Sequence, residues 1–285
     1  AFGQAALYQN TTGSSNSSLG IGALQNNTTA SANTAVGFQA GYTNSTGAYL
    51  TATGYFALKS STADGNTAMG YNAAGATSSG AYNTAQGFSA LAANSSGGYN
   101  TALGASALNS NTTASNNTAV GYQSLYANTT GAFNVAIGNS ALATSVTGYF
   151  QTAVGYGALT NSNYTTNVYA YNTAVGYNAG AANTTGKVTA FGASVLQANT
   201  TGINNTAVGG ATDAAGASLQ NNTTGGHNTA LGNVSLRSNT TASFNSAVGY
   251  SAMAQNTTGA SNSAFGYAAL TACTTGSSHT AVGSQ

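Results

Sequence analysis

The chain has 285 residues, of which three are Lys or Arg and two are Asp, giving a formal net charge of +1. Charged residues make up 2% of the sequence, against roughly 25% in a typical soluble domain. This balance excludes the basic surface that nucleic acids or anionic membranes require, and no apolar run approaches the roughly 18 residues of a membrane span. Pro is absent and 41% of the residues are apolar, which is not the composition of a disordered chain.

A glycine at the end of a TAVG-like phrase recurs along the whole chain. Twelve of its sixteen intervals are 17 residues and two are 16, whereas 21 residues separate Gly155 from Gly176 and 23 separate Gly209 from Gly232. A fixed period is typical of a solenoid. We therefore expect one repetitive array over residues 1–285, with insertions near residues 160–171 and 211–226. This glycine is position 0 of each unit, and the seventeen copies are Gly3, Gly20, Gly37, Gly54, Gly70, Gly87, Gly104, Gly121, Gly138, Gly155, Gly176, Gly192, Gly209, Gly232, Gly249, Gly266 and Gly283.

Each unit begins with a short strand that ends at position 0. Ala stands at position −2 in sixteen of the seventeen units, and a large apolar residue stands at −1 in fifteen. Position +1 is aromatic in nine units and position +4 is Leu in eleven, after which a polar corner such as Asn-Thr-Thr-Gly follows. Thr, Val and aromatic residues favour strands, whereas Asn and Gly favour turns. The unit therefore predicts an all-β fold, a parallel β-solenoid or β-roll of about seventeen 17-residue coils.

Stacking in such a fold places every position against its own copy in the coils above and below. Columns of Ala and Gly allow close approach, columns of Val and Leu are expected to form the core, and Asn columns can form amide ladders. A charged column would stack like charges at about 4.8 Å, which explains why charges are rare. In the TAVGY strand, Thr, Val and Tyr alternate with Ala and Gly. Because neither set is charged, we expect one face to line the roll and the other to pack against another chain.

The phrase NTAVGYQSL resembles the head repeats of YadA-like trimeric autotransporter adhesins, whose units read like S-V-A-I-G-x-x-A. The match is carried by Thr118, Ala119, Val120, Gly121 and Ser124 and by their counterparts in other units. Similar repeats occur in phage-type tail fibres. The resemblance covers essentially the whole chain, and it implies a left-handed parallel β-roll, trimeric about its long axis. It also implies display at a bacterial cell surface or on a virion fibre.

The few charged residues do not suggest a catalytic site. Asp64 and Asp213 lie nine coils apart, or roughly 43 Å at the strand spacing, whereas a glycosidase pair needs carboxylates about 5 to 10 Å apart. Lys59, Lys187 and Arg237 are scattered, and we interpret them as single solvated charges. The acid count therefore nearly excludes a β-helical glycan lyase or hydrolase.

The histidines and the single cysteine are interpreted as substitutions within the repeat. His227 and His279 each precede a TA[LV]G phrase three coils apart, at positions taken as equivalent, and no acid or thiol is expected beside them. Each is expected to replace an Asn or turn residue. Cys273 occupies the place of the first Asn in the polar corner. A metal ligand or general base is the alternative for the histidines, and a reactive thiol or an intermolecular disulfide is the alternative for Cys273, but we predict no metal and no cofactor.

The polar corners contain N-x-[ST] phrases, which are formal acceptors for N-linked sugar. Two interpretations stay open: rows of glycans along one edge, including O-linked sugar on Thr, or a hydrogen-bonded Asn and Thr ladder that closes the corner. The candidate glycosylation residues are Asn10, Asn27, Asn94, Asn111, Asn128, Asn183, Asn199, Asn222, Asn239 and Asn256.

The first insertion is rich in tyrosine and reads TNSNYTTNVYAY over residues 160–171. It predicts a ligand platform made by Tyr164, Tyr169 and Tyr171, and host-surface glycans or proteins are the expected ligands.

The sequence favours an extracellular structural or adhesive fibre that assembles with copies of itself, as a trimeric rod or a filament, and has no catalytic activity. Both ends of the chain have full repeat character, which favours end-to-end stacking or a longer array. The alternatives are a glycan-binding solenoid and an ice-binding solenoid. The latter would use the Thr columns near positions −3 and +8 to +9 to order water.

Overall fold

The computed structural model describes residues 1–164, 168–211 and 216–284. Every regular element among these residues is a β-strand, and the fold is a parallel β-solenoid of about 15 turns with coils of roughly 17 residues. The predicted all-β parallel solenoid is thereby confirmed. The chain divides into two compact units, Ala1–Asn139 and Ser140–Gln285.

The first unit contains one short strand in nearly every coil. Each strand pairs in parallel with the next strand along the chain, and identical positions lie opposite one another, as in Thr101↔Thr118 and Ala102↔Ala119. Before the first strand, Phe2 forms a parallel bridge with Leu19. The strands of this unit are β1 (Ser17–Leu19), β2 (Thr34–Val36), β3 (Thr51–Thr53), β4 (Thr67–Met69), β5 (Thr84–Gln86), β6 (Thr101–Leu103), β7 (Thr118–Val120) and β8 (Val135–Ile137).

The second unit continues the same pattern across two insertions. Among its described residues, β10 and β12 to β18 pair in parallel in chain order, and β9 pairs with β11 as a separate two-stranded sheet. Its strands are β9 (Gly148–Tyr149), β10 (Thr152–Val154), β11 (Val168–Tyr169), β12 (Thr173–Val175), β13 (Val188–Phe191), β14 (Asn205–Val208), β15 (Thr229–Leu231), β16 (Ser246–Val248), β17 (Ser263–Phe265) and β18 (Thr280–Val282).

Both insertions interrupt a coil without shifting the register that follows. The first lies between Ser162 and Asn172, and β12 then pairs with β10 at matching positions. The second lies between Gly209 and Ser218, since the Ser218 amide donates to the Gly209 carbonyl at 3.0 Å. The same bond closes the turn after position 0 in a regular coil, where the Ala107 amide donates to the Gly104 carbonyl at 3.3 Å.

The interior of the coils is built from small and branched side chains. Away from the terminal coils, the Ala at −2 and the Leu at +4 are fully buried, as Ala102 and Leu108 illustrate. The large residue at −1 faces outward instead: Val36 is 36% exposed and Met69 is 45% exposed. The prediction that the Val column forms part of the core is therefore wrong. Because side chains alternate along a strand, the residue at −2 points inward and the residue at −1 points outward. The narrow interior has room for the methyl side chain of the Ala at −2.

Position 0 requires glycine for two independent reasons. The φ angles of the seventeen glycines lie between +126° and +136°, a region that is essentially restricted to glycine. A Cβ on Gly104 would also lie 2.5 Å from the carbonyl oxygen of Gly121 in the next coil. The backbones of successive coils thus approach one another closely along this column.

Three further positions of a regular coil adopt left-handed backbone with ordinary residues. Tyr99 at −5, Ser106 at +2 and Leu108 at +4 have φ angles of 59°, 56° and 50°. Each such residue costs roughly 1–2 kcal/mol, but the amide of each donates to a carbonyl of an adjacent coil at 2.9 to 3.0 Å. These inter-coil bonds offset the conformational cost, and the backbone at +4 carries Leu108 into the core.

A buried Asn at −4 joins most coils to their neighbours. The amide nitrogen Nδ2 of Asn117 donates to the Gly131 carbonyl at 2.9 Å, and its Oδ1 accepts from the backbone N–H of Asn134 at 2.9 Å. The backbone N–H of Asn117 in turn donates to Oδ1 of Asn100 at 3.0 Å. This column is a ladder inside the coil, where the side chains satisfy backbone groups that water cannot reach.

Candidate functional site

The outer surface of the coils carries two apolar columns that flank position 0. The residues at −1 and +1 are separated by two positions, so the two columns run within about 7 Å of one another. In the first unit the +1 rings stack, with centroid distances of 4.9 Å from Phe38 to Tyr55, 5.4 Å from Tyr55 to Tyr71 and 5.1 Å from Tyr71 to Phe88. Members at least 36% exposed are Phe2, Leu19, Ile21, Val36, Tyr55, Met69, Tyr71, Phe88, Tyr122 and Ile137.

A second outward aromatic column lies at position −5. Tyr82 and Tyr99 stack with centroids 5.3 Å apart, and His227 and Phe244 stack at 4.9 Å. Sequence reasoning missed this column, although the aligned units contain the signal: an aromatic or His recurs five residues before the glycine. The left-handed backbone at this position directs the ring away from the core, and Tyr99 is 62% exposed.

The first insertion turns the −5 column into an aromatic cluster, which consists of Tyr149, Phe150, Tyr169 and Tyr171. The parallel pairing of β9 with β11 places Tyr149 opposite Tyr169, and their ring centroids are 6.1 Å apart. Phe150 stacks on Tyr171 at 5.5 Å and contacts Tyr169 at 5.7 Å. Tyr169 and Tyr171 are 60% and 59% exposed. The structure therefore brings these two predicted platform residues together and adds Tyr149 and Phe150.

A cleft of about 430 Å³ begins at the edge of the aromatic cluster. Its lining includes Tyr171, Lys187 and Asn204, which occupy position −5 in three successive coils. The outward threonines Thr189 and Thr206, which lie opposite one another in β13 and β14, complete the polar side. Lys187 and Asn204 are exposed. The cleft thus combines an aromatic ring with a cation, an amide and two hydroxyl groups.

Tyr164, the third predicted platform residue, is buried and only 4% exposed, so its assignment as a surface platform is wrong. Its hydroxyl group donates to the Gly186 carbonyl at 2.8 Å and accepts from Nδ2 of Asn172 at 2.9 Å. Burial raises the pKa of the Tyr164 phenol, and hydrogen bonds from the Asn172 and Asn183 side chains oppose that rise. Tyr164 is a bridge inside the coil.

The asparagines of the polar corners form a second buried ladder. Nδ2 of Asn111 donates to Oδ1 of Asn94 at 2.9 Å and to the Ala114 carbonyl at 3.0 Å. The same arrangement repeats where Asn128 donates to Asn111 and to Gly131. These repeated bonds are those expected if the corners are closed by a hydrogen-bonded ladder.

N-linked sugar at the candidate corners conflicts with this burial, because Nδ2 faces the interior of the folded coil. Asn10 is half-buried and donates to the Gly13 carbonyl at 2.9 Å. The other nine candidates are 0% exposed: Asn27, Asn94, Asn111, Asn128, Asn183, Asn199, Asn222, Asn239 and Asn256. O-linked sugar on the partly exposed threonines of the corners stays a prediction.

The remaining charged residues occupy separate places. Asp64 is exposed, and its Oδ1 accepts from the Ala48 amide at 2.8 Å, whereas Asp213 lies outside the described residues. Lys59 is not simply solvated, because its Nζ lies 4.2 Å from the centroid of the Phe56 ring. Arg237 is partly buried. Lys187 borders the cleft that also contains the exposed ring of Tyr171.

The two histidines do not occupy equivalent positions, contrary to expectation. His227 lies at −5 and stacks on Phe244. His279 lies at −4 and replaces the ladder Asn, since its backbone N–H donates to Oδ1 of Asn262 at 2.9 Å. Cys273 replaces a corner Asn, as predicted, and its Sγ lies 3.7 Å from the Gly276 carbonyl oxygen. The Cys273 thiol also lies 3.9 Å from Nδ1 of His279, a contact that the sequence did not suggest.

In the described ranges no three His, Cys, Asp or Glu side chains converge as metal ligands. The same ranges contain no helix of the length and apolarity needed to cross a membrane. No family model, curated protein or solved structure matches the chain. The fold and the surfaces described above are therefore the basis for a proposal about function.

Proposed function

We propose that this protein is a structural and adhesive fibre protein of an extracellular surface, which assembles with further copies of itself and performs no catalysis. The observation that carries the proposal is the pair of exposed apolar columns at −1 and +1. Phe88 is 59% exposed and Tyr122 is 52% exposed in the single chain, together with aliphatic neighbours such as Met69. Soluble monomers rarely expose apolar patches larger than a few hundred Å² unless a partner covers them.

A second copy of the chain is the partner that best fits these columns. The surface has almost no charge with which to select an oppositely charged protein, and the net charge of +1 provides little mutual repulsion between copies. Regular rows at the spacing of successive coils, about 4.8 Å, are complementary to identical rows on another copy. Assembly would bury the aromatic rings and branched side chains that are exposed to water in the single chain.

The extracellular assignment rests on the resemblance to YadA-like head repeats and phage-type tail-fibre repeats. That resemblance also favours a trimer over a larger assembly, and a bacterial cell surface or virion fibre as the location. Host-surface glycans or proteins are the partners that such a fibre would contact.

A charge series in the −1 column tests the proposal. The triple variant Val36→Glu, Met69→Glu and Leu103→Glu places charges two coils apart on the outer surface. Gln86 already occupies −1 naturally, so a polar residue at this position is compatible with the coil. We expect sedimentation velocity to find oligomers or filaments for the natural chain and folded monomers for the triple variant.

The matched control carries the same added charge on the corners. Thr46, Ser79 and Thr113 are exposed and also lie two coils apart, so Thr46→Glu, Ser79→Glu and Thr113→Glu should leave assembly intact. Circular dichroism establishes that both variants keep the β fold. A natural chain that sediments as a monomer, or equal disruption by both triples, would overturn the proposal.

An ice-binding function is the second candidate, favoured by the in-register threonine row at −3. Thr84, Thr101 and Thr118 lie opposite one another on the outward side of β5, β6 and β7. Such rows, spaced by about 4.8 Å, can order water in a regular lattice. Thermal hysteresis of the purified monomeric triple variant tests this candidate, and a freezing point equal to the melting point would eliminate it.

A further inference from the structure

The aromatic cluster differs from the −5 column of the regular coils, where Tyr82 stacks on Tyr99 as a simple pair. Here β9 and β11 add Tyr149 and Tyr169 beside the stacked pair of Phe150 and Tyr171, so four rings come together on one surface. Neither the core nor the Asn ladders need these exposed rings, since Ala32 occupies −5 in another coil with the same left-handed backbone, at a φ of 59°.

The cleft lies where the −5 column contains its only charged residue. Lys187 follows Tyr171 at −5, and among the sixteen residues that occupy this position no other is charged. No described acidic side chain lies within ion-pair distance of its ammonium group. The next coil contributes the exposed amide of Asn204, and the paired strands β13 and β14 contribute the hydroxyl groups of Thr189 and Thr206.

This combination of groups matches the chemistry of a sugar ring. The C–H face of a pyranose packs against an aromatic face, while its hydroxyl groups need donors and acceptors around the rim, such as amides and hydroxyls. A cation beside the ring favours a sugar with a carboxylate group, because a charge-assisted hydrogen bond is stronger than a neutral one. A nucleic acid fits poorly, since a single lysine neutralises very little of a polyanionic backbone.

We propose that Tyr169 and Tyr171, with Lys187 and Asn204, form a binding site for an acidic oligosaccharide that contains uronic acid residues. The sugar ring stacks on the exposed face of Tyr171, and the carboxylate pairs with Lys187. Asn204 and the two threonines hydrogen-bond the hydroxyl groups, and Tyr169 supports an adjoining ring. The site lies within one chain and does not depend on the assembly proposed above.

Isothermal titration calorimetry of the full chain tests the site with an oligogalacturonate as the acidic probe and a fully N-acetylated chito-oligosaccharide as the neutral probe. We expect the acidic probe to bind more tightly than the neutral one. Tyr171→Ala should weaken the acidic probe by about tenfold or more, as loss of an aromatic anchor commonly does. Lys187→Gln should weaken it about threefold and remove the preference for the acidic probe, because an exposed ion pair contributes modestly.

The matched control is Tyr99→Ala, which removes an equally exposed, stacked ring at the same −5 position in a regular coil. This variant should bind the acidic probe as the natural chain does. Sedimentation velocity of each variant shows that assembly is unchanged, so failure of the sugar site is distinguishable from failure of the fibre proposal. Absence of binding, an equal loss in Tyr99→Ala, or an unchanged preference in Lys187→Gln would overturn the inference.

Discussion

The regular coils between Gly87 and Gly138 and the inserted coil between Gly155 and Gly176 solve the same hydrogen-bonding problem differently. In the regular coils, Asn117 donates directly to the Gly131 carbonyl, fourteen residues further along the chain. In the inserted coil, Asn172 is the equivalent residue and Gly186 the equivalent carbonyl. There the Tyr164 hydroxyl stands between them, accepting from Asn172 and donating to Gly186.

The difference shows which parts of the coil are constrained. The inserted coil is four residues longer, and a buried phenol and the Gln151 side chain take part in its interior bonding, yet the Gly186 carbonyl keeps a hydrogen-bond donor. Unsatisfied polar groups inside the coil would be costly, so the insertion supplies replacements. The outer surface has no such requirement, and there the insertion adds a strand pair and an aromatic cluster.

The largest effect is expected where the regular stack admits no substitute. Gly104→Ala should lower the free energy of unfolding by at least about 3 kcal/mol, because the φ of +134° is strained for any other residue and the new Cβ meets the Gly121 carbonyl. Urea unfolding followed by circular dichroism measures the loss.

Gly22→Ser is the control for this substitution. Gly22 lies at +2 with a φ of 65°, and Ser106 adopts a φ of 56° at the same position of another coil. A loss of less than about 1 kcal/mol is expected there. Equal losses in the two variants would mean that the glycine column is not special.

The Asn ladder should rank next. Asn117→Ala removes the partner of the Asn134 backbone amide and one of the two side-chain donors to the Gly131 carbonyl, which still accepts from Asn128. We expect a loss of about 2 kcal/mol, since the stranded amide inside the coil costs about 1–3 kcal/mol. Thr118→Ala changes the adjacent outward side chain and should cost less than about 0.5 kcal/mol. Similar values for the two variants in urea unfolding would contradict the buried ladder.

Removal of the Tyr164 hydroxyl group, which bridges Asn172 and Gly186 in the inserted coil, should lower the free energy of unfolding by less. Tyr164→Phe keeps the ring but removes the hydroxyl group, and the Gly186 carbonyl still accepts from Asn183 at 2.9 Å. A loss of about 1 kcal/mol is therefore expected near neutral pH. A loss as large as that of Asn117→Ala would show that the regular and inserted coils depend equally on their interior hydrogen bonds.

The same variant has a signature in the pH dependence of stability. Because burial raises the pKa of the Tyr164 phenol above its ordinary value of 10.0, the folded chain keeps this proton when the unfolded chain has released it. The contribution is fully present below about pH 10 and is lost as the pH rises toward the folded pKa. The stability of the natural chain should thus fall more steeply above pH 10 than that of Tyr164→Phe. Parallel curves would contradict the burial of the phenol.

The smallest effect concerns the outer rings of the regular coils. Tyr71 stacks on Tyr55 and Phe88, whereas Tyr122 has Ala105 and Asn139 at the same position of the adjacent coils. Tyr71→Ala should therefore cost about 0.5–1 kcal/mol more than Tyr122→Ala in a monomeric background. Equal costs would show that the ring stack adds nothing to stability.

The fold could be predicted from the sequence because a 17-residue period over the whole chain requires a stacked repeat. The role of the Gly and Ala columns could also be predicted, since close approach of successive coils needs small residues. The direction of the −1 residues was not, because a strand with apolar residues on both sides gives no sign of which side is interior. Val36 and Leu103 therefore had the same appearance as the core residue Leu108.

The sequence left two interpretations open for the corner asparagines and misplaced Tyr164, for a different reason. Asn is usually exposed in turns, but in a narrow coil an amide side chain can replace water as the partner of backbone groups, as Asn111 does. The position of Tyr164 depends on how an insertion is distributed along the coil, which the period does not determine. The contact of Tyr149 with Tyr169 depends on β9 and β11, and the repeat pattern does not predict that pairing.

The most direct test of the central claim is electron cryomicroscopy of the assembled natural chain at side-chain resolution. The account predicts that another copy covers the −1 and +1 columns, so that Met69, Phe88 and Tyr122 lie within an interface. Single, unassembled chains that expose these side chains to water, at a concentration where the chain is fully folded, would contradict the claim that the apolar columns are the assembly surface.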